Sequence, residues 1–241
     1  MPYGHICTCS LAPPPPHQAR KHKIPNFTQS SLRFPLSLSI LQLRGIRILV
    51  SLAMENRTAG DQAAEWYSVW ALPPEDVGAR LKRLMADLRS EFGGPEFEPH
   101  ITVVGAIRLR SDDAVRRLRS ACAALSPYHV RVASASRGTF FYQCVYLLID
   151  PSPEVTQTSA HCRDHFAYKN SAPYMPHLSL LYGDLTDEEK LRARQRVEEL
   201  DKEICGLSFQ VSALALYKTD TEDKSLKSWE KVEVCYLGSD N

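Results

Sequence analysis

From Trp66 onward the apolar residues recur with two alternating spacings, and the switches between them mark out the elements. Trp66 to Leu72 (WYSVWAL) is dense in aromatic and β-branched residues and stops at Pro73-Pro74, the pattern of a strand. Glu75 to Phe92 instead spaces Val77, Leu81, Leu84, Met85 and Leu88 three and four apart. It opens on acids and meets Gly93-Gly94, which predicts an amphipathic helix. Ile101 to Ile107 reads as a strand, and Ser111 as the cap of a helix that starts with Asp112 and Asp113 and runs to about Leu125. Two further strands are expected at Tyr128 to Ala135 and Thr139 to Ile149, joined by Arg137-Gly138, the second apolar enough to be central. Glu154 to about Phe166 predicts a helix and His177 to Tyr182 a short strand. Thr186, with Glu189 three residues on, forms the signature of a capping box for a helix running to about Ile204. Leu207 to Tyr217 and Ser228 to Leu237 complete the chain as strands. Strands and helices mix without strict β-α-β alternation, so the fold class is α+β with antiparallel sheets.

Residues 1–54 stand apart. They carry Pro13 to Pro16 in a row, Ser30-Ser31, six Lys or Arg and no acid. Such a segment reads either as an organelle transit peptide or as a translated upstream region with Met54 as the working start. On both readings it is an extension, and residues 55–241 form the functional domain. The best apolar stretch, Leu36 to Met54, is interrupted by Arg44 and Arg47, whereas a membrane span needs about 20 unbroken apolar residues.

Within the ordered region a single string occurs twice. Pro99-His100-Ile101-Thr102-Val103 is matched 77 residues later by Pro176-His177-Leu178-Ser179-Leu180: proline, histidine, apolar, hydroxyl, apolar. Residues two apart on a strand share a face, so His100 pairs with Thr102 and His177 with Ser179, while the intervening aliphatics anchor the other face in the core. Two imidazole–hydroxyl pairs that face each other can surround a phosphate. The hydroxyls donate to its oxygens, one imidazole takes a proton from water and the other gives one to the leaving oxygen. Neither motif carries a third His, Cys or carboxylate at ligand spacing, so the expected chemistry needs no metal and no cofactor.

At these residues the sequence resembles the two-histidine (2H) phosphoesterase superfamily, and within it the plant cyclic phosphodiesterases. The resemblance runs from Tyr67 to Leu237 through YSVWALP (Tyr67 to Pro73), GTFFYQCVYLL (Gly138 to Leu148), APYMPHLSLLY (Ala172 to Tyr182) and YKTDTEDK (Tyr217 to Lys224). It implies two pseudo-symmetric lobes, each an antiparallel sheet flanked by helices, with the active-site cleft between them. It also implies metal-independent hydrolysis of ADP-ribose 1″,2″-cyclic phosphate to the 1″-phosphate, a by-product step of tRNA splicing, and opening of nucleoside 2′,3′-cyclic phosphates to 2′-phosphates. His100 and His177 carry over as the catalytic pair, with His177 provisionally the base and His100 the acid. Thr102 and Ser179 carry over as phosphate-binding residues, joined by Tyr182, three residues past Ser179. Trp70 and Tyr142 align with the family's base-stacking surface, and Tyr142 stands where phenylalanine is usual.

The net charge of +1 divides into +6 for residues 1–54 and −5 for the remainder. An acidic body disfavours a stable nucleic-acid complex, because a polymer backbone demands a basic groove. That weighs against two rivals, an RNA-end phosphodiesterase and a 2′,5′-RNA ligase. A non-catalytic nucleotide or RNA-end binder would be indicated by loss of a motif histidine, and both are present. The expected partner is a small cyclic phosphate bound by a monomer, with no membrane association. Seven scattered cysteines do not build a disulfide framework, although Cys122 on a helix and Cys235 on the last strand could meet. The compartment expected is reducing and cytoplasmic, or an organelle if the extension is a transit peptide. The charged stretch TDTEDK reads as a solvated turn rather than a substrate gate.

Overall fold

The computed structural model describes residues 63–170 and 172–238; the expectations for residues 1–54 lie outside these. Eight strands and four helices follow in order: β1 (Glu65–Ala71), α1 (Glu75–Phe92), β2 (Ile101–Leu109), α2 (Ser111–Cys122), β3 (Tyr128–Arg137), β4 (Val145–Ile149), α3 (Pro153–Phe166), β5 (His177–Leu181), α4 (Asp187–Leu200), β6 (Ser208–Val211), β7 (Ala213–Lys218) and β8 (Glu230–Tyr236). All strand pairs are antiparallel, in the order β6-β3-β4-β5-β2-β1-β7-β8. The fold is α+β.

The order divides into two four-stranded halves, β6-β3-β4-β5 and β2-β1-β7-β8, that meet where β5 lies beside β2. The halves repeat one plan. β1-α1-β2 matches β4-α3-β5, and each helix crosses to pack on the other half: α1 lies against β5 and α3 against β2. Each half is completed from elsewhere in the chain. β3, reached through α2, adds to β4, whereas β7, reached through α4 and β6, adds to β1. The helices bury their apolar stripes on one face of the sheet. Leu81, Leu88, Leu118, Val155 and Val197 join Ile101, Val103, Leu178 and Leu180 in a single core. The opposite face carries a smaller cluster of Trp70, Ala215 and Tyr217.

Several element boundaries differ from the sequence pattern, four of them for reasons visible in the structure or the sequence. The strand expected from Thr139 begins only at Val145, because Phe141–Gln143 form a 3-10 turn. Gly138 makes this turn: its N–H donates to the Cys144 carbonyl at 3.0 Å, and a Cβ there would stand 2.0 Å from the Gln143 oxygen. The run Leu207 to Tyr217 is two strands broken at Ser212, β6 at one edge of the sheet and β7 between β1 and β8 in the other half. Both sides of the break are apolar, so hydrophobicity does not mark it. Helix α4 stops at Leu200 rather than Ile204, where Asp201 takes two hydrogen bonds of 2.6 Å from the Arg80 guanidinium. Ser111 opens α2 instead of capping it, and Arg110 holds the cap position. The capping box at Thr186 and Glu189 is formed as expected.

Candidate active site

The seam between the halves sets the site. Ile101 faces Leu178 across it, and both point into the core, 2 % and 0 % exposed. One step either way along this antiparallel register, His100 comes opposite Ser179 and Thr102 opposite His177. Cross-strand neighbours stand about 4.5–5.5 Å apart at Cβ. The two motifs thus form one block of four side chains, on the face away from the helices.

Each histidine is held the same way. His100 Nδ1 lies 2.6 Å from the carbonyl of Glu98, and His177 Nδ1 lies 2.9 Å from that of Met175, in both cases two residues upstream. A carbonyl only accepts, so Nδ1 carries the proton in each ring. In the neutral state Nε2 then presents its lone pair. Burial pushes His100 down to about 3, against the Glu98 carbonyl and with a smaller push from His177. Burial also lowers His177, with the Met175 carbonyl opposing. Both rings are therefore neutral at pH 7 in the free protein.

The neighbouring strands each add an aromatic ring. Trp70 on β1 faces Thr102, and Tyr146 on β4 faces Ser179, so the two occupy equivalent places in the two halves. Trp70 stacks on His100 with centroids 3.5 Å apart and planes 5° apart, while Tyr146 meets His177 edge-on at 5.3 Å. The second face of Trp70 is covered by Tyr217 at 3.7 Å. This corrects the expectation that Trp70 stacks on a base: its indole is 2 % exposed and has no free face. It packs beneath His100 instead.

Tyr182, 4 % exposed, stacks on Phe97 at 3.8 Å, and its hydroxyl bonds with that of Ser179. Ser179 Oγ in turn donates to the Tyr142 carbonyl at 3.1 Å. Tyr142 is partly exposed; its ring lies near Tyr182 and Trp229, and its hydroxyl donates to the Thr221 carbonyl at 2.7 Å. The charged turn after β7 is therefore more than a solvated loop. Thr219 is buried against the Ser68 hydroxyl, Thr221, Glu222 and Lys224 face water, and the backbone anchors Tyr142 and also takes the Trp229 indole N–H, at Asp220, at 2.8 Å.

Several residues at the site are not evident from the sequence. Phe97, Tyr217 and Trp229 complete the aromatic surround, and the Gln143 amide lies 3.5 Å from His177 Nε2. Phe97 had a signal, three residues before His100. Tyr217 and Trp229 reach the site only through the pairing of β7 with β1 and β8. Among the described residues no group of three or more His, Cys, Asp or Glu is placed to hold a metal ion. Cys122 and Cys235 are neighbours, as buried free thiols in hydrogen-bonding contact.

A cavity of about 300 Å³ opens beside the block, with Thr102 and His177 in its wall. It lies where β2 runs on past the start of β5, and the segment between α3 and β5 forms its other side.

The profile of cyclic phosphodiesterase-like proteins matches residues 66–236. A cyclic phosphodiesterase of Arabidopsis thaliana is 52 % identical over 171 residues, covering 71 % of this chain and 94 % of that protein. A 2′,3′-cyclic-nucleotide 3′-phosphodiesterase of Yarrowia lipolytica is 25 % identical over 187 residues, 61 % of this chain and 86 % of that one. Among solved structures, TT0787 of Thermus thermophilus shares the fold with a TM-score of 0.53 at 14 % identity, covering 73 % of this chain and all of that one. With both histidine motifs on one face of the sheet, the chain belongs to the cyclic phosphodiesterase-like proteins, a family of two-histidine phosphoesterase hydrolases.

Proposed function

We propose that the protein hydrolyses small cyclic phosphates without metal: ADP-ribose 1″,2″-cyclic phosphate to the 1″-phosphate, and nucleoside 2′,3′-cyclic phosphates to 2′-phosphates. The observation that carries this reading is the seam, where two imidazoles with fixed tautomers alternate with two hydroxyls on one surface. The Yarrowia relative, named for cleavage of the 3′ bond of a 2′,3′-cyclic nucleotide, supports the same reaction class. The first substrate places the reaction among the by-product steps of tRNA splicing.

In this mechanism Thr102 donates a hydrogen bond to one non-bridging oxygen, and Ser179 turns its single O–H from the Tyr142 carbonyl to the other. His177, the more open ring, takes a proton on Nε2 from the attacking water as its oxygen bonds to phosphorus. The P–O bond to the 2″ or 3′ oxygen breaks, and His100 Nε2–H protonates that oxygen. His100 must therefore gain a proton that the free protein does not hold. Stacking on indole favours the imidazolium by about 0.5–2 kcal/mol, equivalent to about 0.4–1.5 pH units. That is less than the fall caused by burial, so the anionic substrate has to supply the remaining attraction. Substrate and proton then bind together, and the acid is charged only when there is a bond to break.

Phosphorus NMR of the protein with ADP-ribose 1″,2″-cyclic phosphate in excess EDTA tests the reading, with His177→Ala as control. Conversion to the 1″-monophosphate that disappears in the control supports it. Activity that returns only on adding a divalent metal overturns the metal-free mechanism, and no conversion under either condition overturns the substrate assignment.

A further inference from the structure

Beyond Thr102 and His177, the cavity beside the motif block has a chemical character that a five-membered cyclic phosphate does not use. Among the described residues of its wall, Arg163, near the end of α3, is the one permanently charged side chain, and none is a carboxylate. The guanidinium donates to the Asn170 carbonyl at 3.0 Å and lies 5.5 Å from the centroid of the Tyr168 ring. No acidic partner neutralises it among the described residues. Two contacts that hold a guanidinium and leave its charge uncompensated suit the binding of an anion, because Arg matches phosphate geometry with paired N–H donors. The same wall includes Phe140 and Met175, 54 % and 40 % exposed, two of the few large apolar side chains left open to water among the described residues.

The wall thus combines the imidazole and hydroxyl of the motif block with one cation and two exposed apolar side chains. We propose that this cavity is a second-phosphate subsite, in which Arg163 binds the diphosphate of a dinucleotide-like substrate and Phe140 and Met175 cover part of its distal nucleoside. The inference rests on the reading of the site as a cyclic phosphodiesterase, and it ranks substrates within that class. Cyclic phosphates that extend through a diphosphate use the cavity, whereas mononucleoside 2′,3′-cyclic phosphates leave it to water. A volume of about 300 Å³ is at the lower end of small-ligand sites, enough for a diphosphate with part of its ribose.

The test compares Arg163→Gln and Arg163→Lys with the wild type on two substrates, ADP-ribose 1″,2″-cyclic phosphate and adenosine 2′,3′-cyclic phosphate. The expected result for Arg163→Gln is a KM about tenfold higher on the first, with kcat preserved and both constants on the second within twofold of wild type. Arg163→Lys should recover part of the loss. Normal turnover of the second substrate also shows that the variant is folded. An equal rise in KM on both substrates, or none on either, overturns the inference. Calorimetric titration with ADP-ribose, which has the diphosphate but no cyclic phosphate, reads the subsite without turnover. Binding that Arg163→Gln weakens supports the subsite even if the wild type hydrolyses neither substrate, an outcome that would sink the phosphodiesterase reading alone. Binding that is absent, or unchanged in the variant, overturns the subsite.

Discussion

His100 combines two demands that conflict: it is 4 % exposed, which favours the neutral ring, yet the proposed mechanism needs it charged. Trp70 eases the conflict by presenting the face of its indole at 3.5 Å. In Trp70→Leu the imidazolium of the substrate complex loses that attraction, so its pKa falls. The alkaline limb of the kcat–pH profile should then move to lower pH by about 0.4–1.5 units, while Trp70→Phe retains part of the effect. An unmoved limb would mean that Trp70 only fills space. The histidines themselves should be worth far more. Alanine at either is expected to cost about 10²–10⁴-fold in kcat, with the far-ultraviolet circular dichroism preserved. If both variants keep more than a tenth of wild-type activity, the acid–base assignment is wrong.

Elements differ in what they hold in place. Leu178 is fully buried at the seam, where strand pairing brings the two motifs together. Leu178→Ala should cost about 2–5 kcal/mol in urea unfolding and lower kcat as well, because the seam loses its packing. Thr186 caps α4, away from the motif block, and Thr186→Ala should cost about 0.5–2 kcal/mol with kcat/KM unchanged. A Leu178→Ala variant as active as wild type would separate the seam from catalysis. The same contrast explains what the sequence reveals. Periodicity marks α1 and the cap of α4 because those signals are local. The histidine motifs stand out because the chain states them twice. The 3-10 turn at Phe141–Gln143 is hidden in an apolar run, since aromatic residues that wrap a cleft look like those of a buried strand. The sequence brings Trp70 to the site but not its true neighbour, because the tyrosine on its second face comes from β7, 147 positions along the chain. Arg163 has no local signature, being one arginine among many until the fold puts it in the wall of the cavity that His177 also lines.

At the scale of the molecule, the buried histidines tie stability to pH. His100 has its folded pKa lowered to about 3, and His177 is lowered too. Their contribution is complete above the unfolded value of about 6.5 and is lost as pH falls from there towards the folded value. For one proton the slope reaches about 1.4 kcal/mol per pH unit. Urea midpoints should therefore fall between pH 7 and pH 5, above the range in which most carboxylates titrate, and fall less in His100→Asn. Parallel curves for the two proteins would show that His100 is not the group responsible.

The division of each half-sheet between distant stretches of the chain also bears on synthesis. Both histidine motifs have been made once Ser179 leaves the ribosome, but β1 still lacks β7 and Trp70 still lacks Tyr217. A nascent chain of that length carries all four motif side chains while the support beneath His100 has not yet been translated. Hydrolytic capacity should therefore appear abruptly with the last two strands rather than grow in with the motifs, and a chain truncated at Gly206 should be inert although it contains both histidines.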